Sequence, residues 1–253
     1  MNVEREYAVV TGASSGIGAA TARLLAKNGY RVIAAARRMD LLTHLADLDE
    51  NIEAAELDVT DQGSIDALVK KLRDKRVTVL VNNAGGSFDG SLVADADLDS
   101  WLKTFDVNVL GSVRVVKAFI PLLRASNSGI IVVVTSTAGY VTYETGGSYT
   151  AAKHAEKALV QTLRLELNGE PIRVTEIAPG MVKTDEFAFN RFGGDAVKAA
   201  KIYDGVEQPL TADDVAEAIR WSVMLPNYFN VDSMIIRPLA QAAQHKVHRV
   251  QKN

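Results

Sequence analysis

The chain has 253 residues, 47% of them hydrophobic and 23% charged, and a formal net charge of -3. That length buries a large core in one α/β domain without disulfides or metals, and the charge balance gives no basic excess for nucleic acid or an anionic membrane. The absence of cysteine excludes disulfides, thiolate metal sites and a cysteine nucleophile, and the four histidines show no metal-ligand spacing. No apolar run reaches the roughly 18 residues of a membrane helix. A strand pattern begins by Tyr7, where a signal peptide would lie. The expectation is a cytoplasmic protein.

A short apolar run over residues 7–11 suits a strand buried on both faces. It leads into Thr11-Gly12-Ala13-Ser14-Ser15-Gly16-Ile17-Gly18, and a helical pattern follows. Strand, glycine turn and helix form the context of a dinucleotide fingerprint. Gly12 permits the tight turn, Gly16 lets the backbone approach a pyrophosphate, and Gly18 lets helix and strand pack. The N–H groups and dipole at the helix start favour the anion. Residues 31–36 form a second strand that runs into Arg37-Arg38. An NAD-binding chain usually carries an acid there for the ribose 2′-hydroxyl. A guanidinium instead clamps a 2′-phosphate. The cofactor read from this is NADP(H), with Arg37 as main contact, Ser14 as helper and Arg38 beside them.

A third strand over residues 52–57 ends at Asp58-Val59. Asp58 either accepts from the adenine amino group or caps the helix that begins near Asp61. A fourth strand over 77–81 precedes Asn82-Asn83-Ala84-Gly85-Gly86, small enough for a ring to pass close to the backbone. Residues 98–123 read as one long helix with Asn108 at its middle. Asparagine is a poor helix-interior residue. A local task is therefore expected of Asn108, such as holding a water that links Lys153 to solvent. A fifth strand over 129–135 delivers Ser136. A helix from about 148 to 167 carries Tyr149 and Lys153 one turn apart. The ammonium is expected to lower the phenol pKa, and Ser136 to bond a substrate oxygen beside it. A sixth strand follows over 172–177. Alternating elements with near-continuous apolar strands define a single-domain, doubly wound parallel sheet of the Rossmann type.

With Thr11–Gly18, Asn82–Gly85, the Asn108, Ser136, Tyr149 and Lys153 set, and Pro179-Gly180-Met181-Val182-Lys183-Thr184, the chain resembles the short-chain dehydrogenases/reductases over nearly its whole length. The resemblance implies that Tyr149 is the acid/base, that Lys153 lowers its pKa and bonds the nicotinamide ribose, that Ser136 orients the carbonyl, and that Asn108 supports a proton relay. Pro179, Gly180, Val182 and Thr184 would lie along the nicotinamide, and Asp58, Val59, Asn83, Ala84 and Gly85 along the rest of the cofactor. It also implies a homotetramer.

Residues 180–210 lack periodicity, contain Gly193-Gly194 and read as a mobile lid. Thr211 is expected to cap the next helix, and residues 231–236 to form a last strand. With Glu186-Phe187, Arg191-Phe192, Gly194-Asp195, Leu210-Thr211, Trp221, Leu225-Pro226 and the tail Val247-His248-Arg249, the chain resembles the NADP-dependent 3-hydroxy acid (serine/allo-threonine) dehydrogenase branch, which implies a small hydroxy-acid substrate. Arg191 either binds its carboxylate or only helps the lid close. A broad aldehyde/ketone reductase and a non-catalytic NADP-binding sensor are the alternatives.

Overall fold

The computed structural model describes residues 5–250. Its centre is a seven-stranded parallel sheet of order β3-β2-β1-β4-β5-β6-β7. The strands are β1 (Tyr7–Thr11), β2 (Arg31–Ala36), β3 (Ile52–Glu56), β4 (Val77–Asn82), β5 (Gly129–Val134), β6 (Ile172–Pro179) and β7 (Ser233–Ile236). Alternate residues of each strand face opposite ways. Ala8 and Val10 thus enter one apolar layer with α1 (Gly16–Lys27), α2 (Met39–Asp47) and α9 (Ala212–Val223). Val9 enters the other, with α3 (Gln62–Leu72), α5 (Gly111–Ser126) and α6 (Gly147–Glu166). Both faces are covered, so the strands need apolar residues at every position. The order reverses between β1 and β4, and the crevice for ligands opens there at the carboxyl ends of the strands.

Four local features differ from the sequence expectation. The long helix over 98–123 is instead α4 (Leu98–Phe105), a π-helical turn at Asp106–Leu110, and α5. The extra residue per turn aims Asn108 inward; π-turns often mark functional sites. Residues 180–210 carry α7 (Asp185–Arg191) and α8 (Ala196–Lys201), helices too short to show a period in sequence. Helix α2 was not expected at all. The polar stretch after β7 holds a small hairpin, β8 (Gln241–Ala243) with β9 (Lys246–Val247). Its buried Gln241 accepts from the Met181 amide at 2.8 Å, which ties the hairpin to the start of the 180–210 segment. Thr211 caps α9 as expected, in a reciprocal capping box with Asp214. No helix of the described residues is long and apolar enough to cross a membrane.

Candidate active site

At the end of β1 the chain turns sharply at Gly12, whose φ of +66° suits glycine. Helix α1 then lies almost on the turn: a Cβ on Gly18 would sit 2.4 Å from the Gly12 carbonyl oxygen. Thr11 and Asn83 lock this corner to β4. The Thr11 hydroxyl accepts from the amides of Asn83 and Ala84, both at 3.0 Å, and the Asn83 side chain donates to the Thr11 carbonyl at 2.9 Å. Ser15 starts α1 without capping it by its side chain. The first N–H groups of the helix therefore face the crevice with no acceptor from the cap, which suits a bound phosphate.

Arg38 lies over that helix start. It donates to Ser14 Oγ at 2.8 Å and to Ser15 Oγ at 3.0 Å, and it holds the Glu186 carboxylate of α7 at 2.5 and 2.8 Å. The Arg38 bonds chiefly, with Ser15, hold the Glu186 carboxyl below its ordinary range despite partial burial. Ser14 is therefore grouped with Arg38, whereas Arg37, the expected main contact, is exposed and lines the same end of the crevice beside Asp58 and Val59. Asp58 does not cap α3; Asp61 does, through the Gly63 amide. Asp58 instead accepts from the Thr60 amide at 2.9 Å and hydroxyl at 2.7 Å. Burial pushes its carboxyl up, but these bonds and the Arg37 charge outweigh that and hold it low.

The other end of the crevice brings Ser136, Tyr149 and Lys153 together. Ser136 lies two residues past the end of β5, and Tyr149 and Lys153 stand one turn apart on the buried face of α6. The Tyr149 phenol contacts the Ser136 hydroxyl, and Lys153 Nζ lies 5.7 Å from the phenol ring centre. Phe187 of α7 packs edge-on against the same ring at 5.1 Å. The phenol is displaced upward from its ordinary pKa, contrary to expectation: burial dominates, and Lys153 and Ser136 only partly oppose it. One reason is visible. Lys153 is paired at 2.5 Å with Glu156, one turn further along α6, and also donates to the Val134 carbonyl at 3.3 Å. Glu156 is absent from the sequence-derived set. Its signal was its spacing, because positions i, i+4 and i+7 of a helix share a face.

Asn108 supports this end from below. Its amide donates to the carbonyls of Gly86 at 2.8 Å and Thr104 at 2.6 Å, and its oxygen accepts from the Gly86 amide at 3.1 Å. Both donors are thereby used on the loop after β4 and on α4, which fixes that loop beside Lys153; the expected water link to Lys153 would have only the amide oxygen to use.

A chamber of about 410 Å³ opens beyond Tyr149 and Ser136, walled by Tyr143, Phe187, Phe192 and Arg191. Burial drives the Tyr143 phenol up to about 12. Arg191 donates to the Thr145 carbonyl and hydroxyl, both at 3.0 Å, and its buried Nε has no partner among the described residues. Pro179, Gly180 and Val182 line the chamber, Thr184 lines both chamber and crevice, and Gly85 lines the crevice.

A glycine corner, an uncapped helix start and a Ser-Tyr-Lys set at one edge of a doubly wound sheet define a nucleotide-dependent oxidoreductase fold. Residues 6–191 match the sequence profile of the short chain dehydrogenase family, and the chain belongs to that family. It is 50% identical over 243 residues to an uncharacterised oxidoreductase of Mycobacterium tuberculosis (strain H37Rv), covering 96% of this chain and 95% of that protein. It is 36% identical over 245 residues to the NADP-dependent 3-hydroxy acid dehydrogenase YdfG of Escherichia coli (strain K12), covering 95% and 98%. Among solved structures it is similar to the closed form of serine dehydrogenase complexed with NADP+, with a TM-score of 0.90, 35% identity and coverage of 96% and 100%.

Proposed function

We propose that this oxidoreductase transfers a hydride between NADP(H) and the hydroxyl or carbonyl carbon of a small substrate, a 3-hydroxy acid above all. The observation that carries the substrate class is Arg191, which lines the same chamber as Ser136 and Tyr149 and whose buried Nε has no partner among the described residues. The relatives' NADP dependence and the position of Arg38 at the far end of the crevice support the cofactor.

The crevice suits such a cofactor. The uncapped start of α1 would take the pyrophosphate, with Gly12, Ser15, Gly16, Ile17 and Gly18 beneath it. Arg38, Arg37 and Ser14 would take the 2′-phosphate, in competition with Glu186 for Arg38. Asp58, Val59, Ala84 and Gly85 would flank the adenosine half, Asn83 would keep the turn in place, and Pro179, Gly180, Val182 and Thr184 would border the nicotinamide. The chemistry supplied by the bound cofactor is hydride exchange at the substrate carbon. The chain does the rest. Ser136 bonds the substrate oxygen. Tyr149 gives that oxygen a proton in reduction and takes one in oxidation. Lys153 stands beside the phenol to favour its charged form, and Asn108 keeps the floor of the site rigid and borders the path for the proton. Holding the partners at near-attack distance supplies much of the acceleration.

The aromatic wall of Tyr143, Phe187 and Phe192 favours a second reading, a reductase of neutral aldehydes and ketones. We place the protein in the cytoplasm as a homotetramer; exposed Leu98, Leu102, Phe105 and Leu110 along α4 and the π-turn support such an assembly. The segment 180–210 is its lid, joined to the phosphate end by Glu186 and to the chamber by Phe187 and Arg191.

The test is NADP+ reduction, followed by the absorbance of the reduced nicotinamide, with L-serine, L-allo-threonine, 3-hydroxypropionate, 3-hydroxybutyrate and neutral secondary alcohols. Arg191→Ala is expected to raise KM roughly tenfold or more for the acids, the worth of one charge-assisted contact, and to spare the neutral alcohols. An equal rise for both sets would remove the carboxylate role. Turnover on neutral alcohols alone would favour the second reading, and NADPH binding with no turnover a sensor.

Cofactor choice has its own test. Arg38→Ala is expected to raise KM for NADPH roughly tenfold or more, about 1.4 kcal/mol or more of lost charge-assisted bonding, with KM for NADH little changed. Arg37→Ala is expected to move the same ratio in the same direction. If neither variant moves it, the 2′-phosphate is bound elsewhere.

A further inference from the structure

Glu156 is one of the most deeply buried charged side chains of the fold, at 1% exposure. Its carboxylate stands 2.5 Å from Lys153 Nζ, and its other oxygen accepts from the Ser112 hydroxyl of α5 at 3.0 Å. A buried ion pair is a poor device for stability, because desolvation of two charges consumes much of their attraction and an apolar pair of equal volume often does as well. The place of this pair is more informative. Lys153 reaches the crevice, touches the end of β5 through Val134 and stands beside the Tyr149 phenol.

We propose that Glu156 is a positioning residue for the reaction: fixed by Ser112, it pins the Lys153 ammonium, offsets its charge, and thereby sets the pH at which Tyr149 exchanges its proton. This rests on the reading of Tyr149 as the acid/base. The groups that face the pair are known. Tyr149 shares α6, Glu176 approaches from β6, and Ser112 is the neutral donor from α5. Beyond the phenol lie Arg191 of α7 and Tyr143. Glu176 has its own donors, the hydroxyls of Thr135 at 2.6 Å, Tyr140 at 2.5 Å and Ser233 at 2.9 Å. Glu156 is therefore the acid that meets Lys153 directly, and the one whose removal leaves the lysine charge free to act on the phenol.

The direction follows from Coulomb's law. A carboxylate near a phenol disfavours phenolate, and in a site of low effective dielectric the effect over several ångströms is on the order of one pH unit. Glu156→Gln is thus expected to move the rise of oxidation rate about one pH unit lower. Glu156→Asp should return it toward the parent, and Ser112→Ala, which weakens the hold on the carboxylate, should shift it the same way by less.

Two readouts are needed. One is the pH profile of kcat/KM for NADP+-dependent oxidation of the best substrate in the panel above. The other needs no turnover: the tyrosinate absorbance of each protein minus that of the same protein carrying Tyr149→Phe, followed with pH while the circular dichroism stays native. Displacement of either curve in Glu156→Gln, with Glu156→Asp near the parent, supports the assignment. Superimposed curves for Glu156→Gln and parent, even with a lowered Tm, would reduce Glu156 to a structural counter-ion and overturn it. If Glu156→Gln does not fold, Ser112→Ala decides by the same criterion. If Tyr149→Phe keeps full activity, the acid/base reading itself fails, and the tyrosinate curves still judge Glu156.

Discussion

Tyr149→Phe is expected to lower kcat by about 10³-fold or more while NADPH binding changes by about fivefold or less. General acid–base catalysis by one positioned side chain is worth about 10²–10⁴ in rate. The substitution deletes one hydroxyl and leaves the ring that Phe187 packs against at 5.1 Å. The loss to cofactor binding is at most one hydrogen bond of about 1 kcal/mol. The measurement is steady-state turnover in both directions beside a fluorescence titration with NADPH. Unchanged turnover would remove Tyr149 from the chemistry. The parent enzyme makes a second expected result with a fixed sign. Burial holds the phenol protonated well past neutrality. Reduction uses that proton and is expected to run at full rate near neutral pH and to fall as pH rises. Oxidation needs the phenolate and is expected to climb over the same range.

The residues that lie on the sheet were the easiest to place from the sequence. Strands β1, β2, β4 and β5 are buried on both faces, so each appears as a near-continuous apolar run, and the turn that follows each one carries a candidate site residue. Ser136, Tyr149 and Lys153 were legible for the same reason: a strand end and a helix repeat fix their directions. Side chains whose partners come from remote segments were not legible. Nothing near Arg37 and Arg38 reveals that Glu186, far along the chain, would take one of them and leave the other free. Asn108 was marked as misplaced in a helix, but the π-turn that resolves the conflict has no local sequence code. Glu156 is flanked by His154 and Lys157, and only its helical spacing from Tyr149 and Lys153 betrays that it shares their buried face. Glu176 did carry a signal, an acid inside the strand Ile172–Pro179, which is buried along its whole length. A charge in such a strand must find donors on neighbouring elements, and it finds hydroxyls on three of them.

Gly18→Ala is expected to destabilise the fold by about 3 kcal/mol or more, because overpacking against atoms that cannot move commonly costs 1–3 kcal/mol and sometimes more. The added methyl carbon would lie 2.4 Å from the Gly12 oxygen, 2.8 Å from the Gly12 carbonyl carbon and 2.7 Å from Asn83 Nδ2. Two of those atoms are backbone. The third is the amide whose bond to Thr11 joins β1 to the loop after β4. Relief therefore requires α1 to lift from the sheet, or the Gly12 turn to open, or the Asn83 bond to break. Each would disturb the helix start proposed to receive the pyrophosphate. For a chain of this size, about 3 kcal/mol corresponds to a fall in Tm of roughly 6–12 °C. The measurements are thermal unfolding by circular dichroism with and without NADPH, and the dissociation constant of NADPH. The parent should gain Tm on adding the nucleotide, by mass action. The variant should start lower and gain less. Gly29→Ala is the control: unlike Gly18, that glycine has a positive φ, +95°, and its added carbon would meet nothing within 4 Å. Backbone strain alone should then lower its Tm and leave the gain from NADPH intact. If the two variants gain equally, helix–strand contact at Gly18 does not shape the nucleotide site.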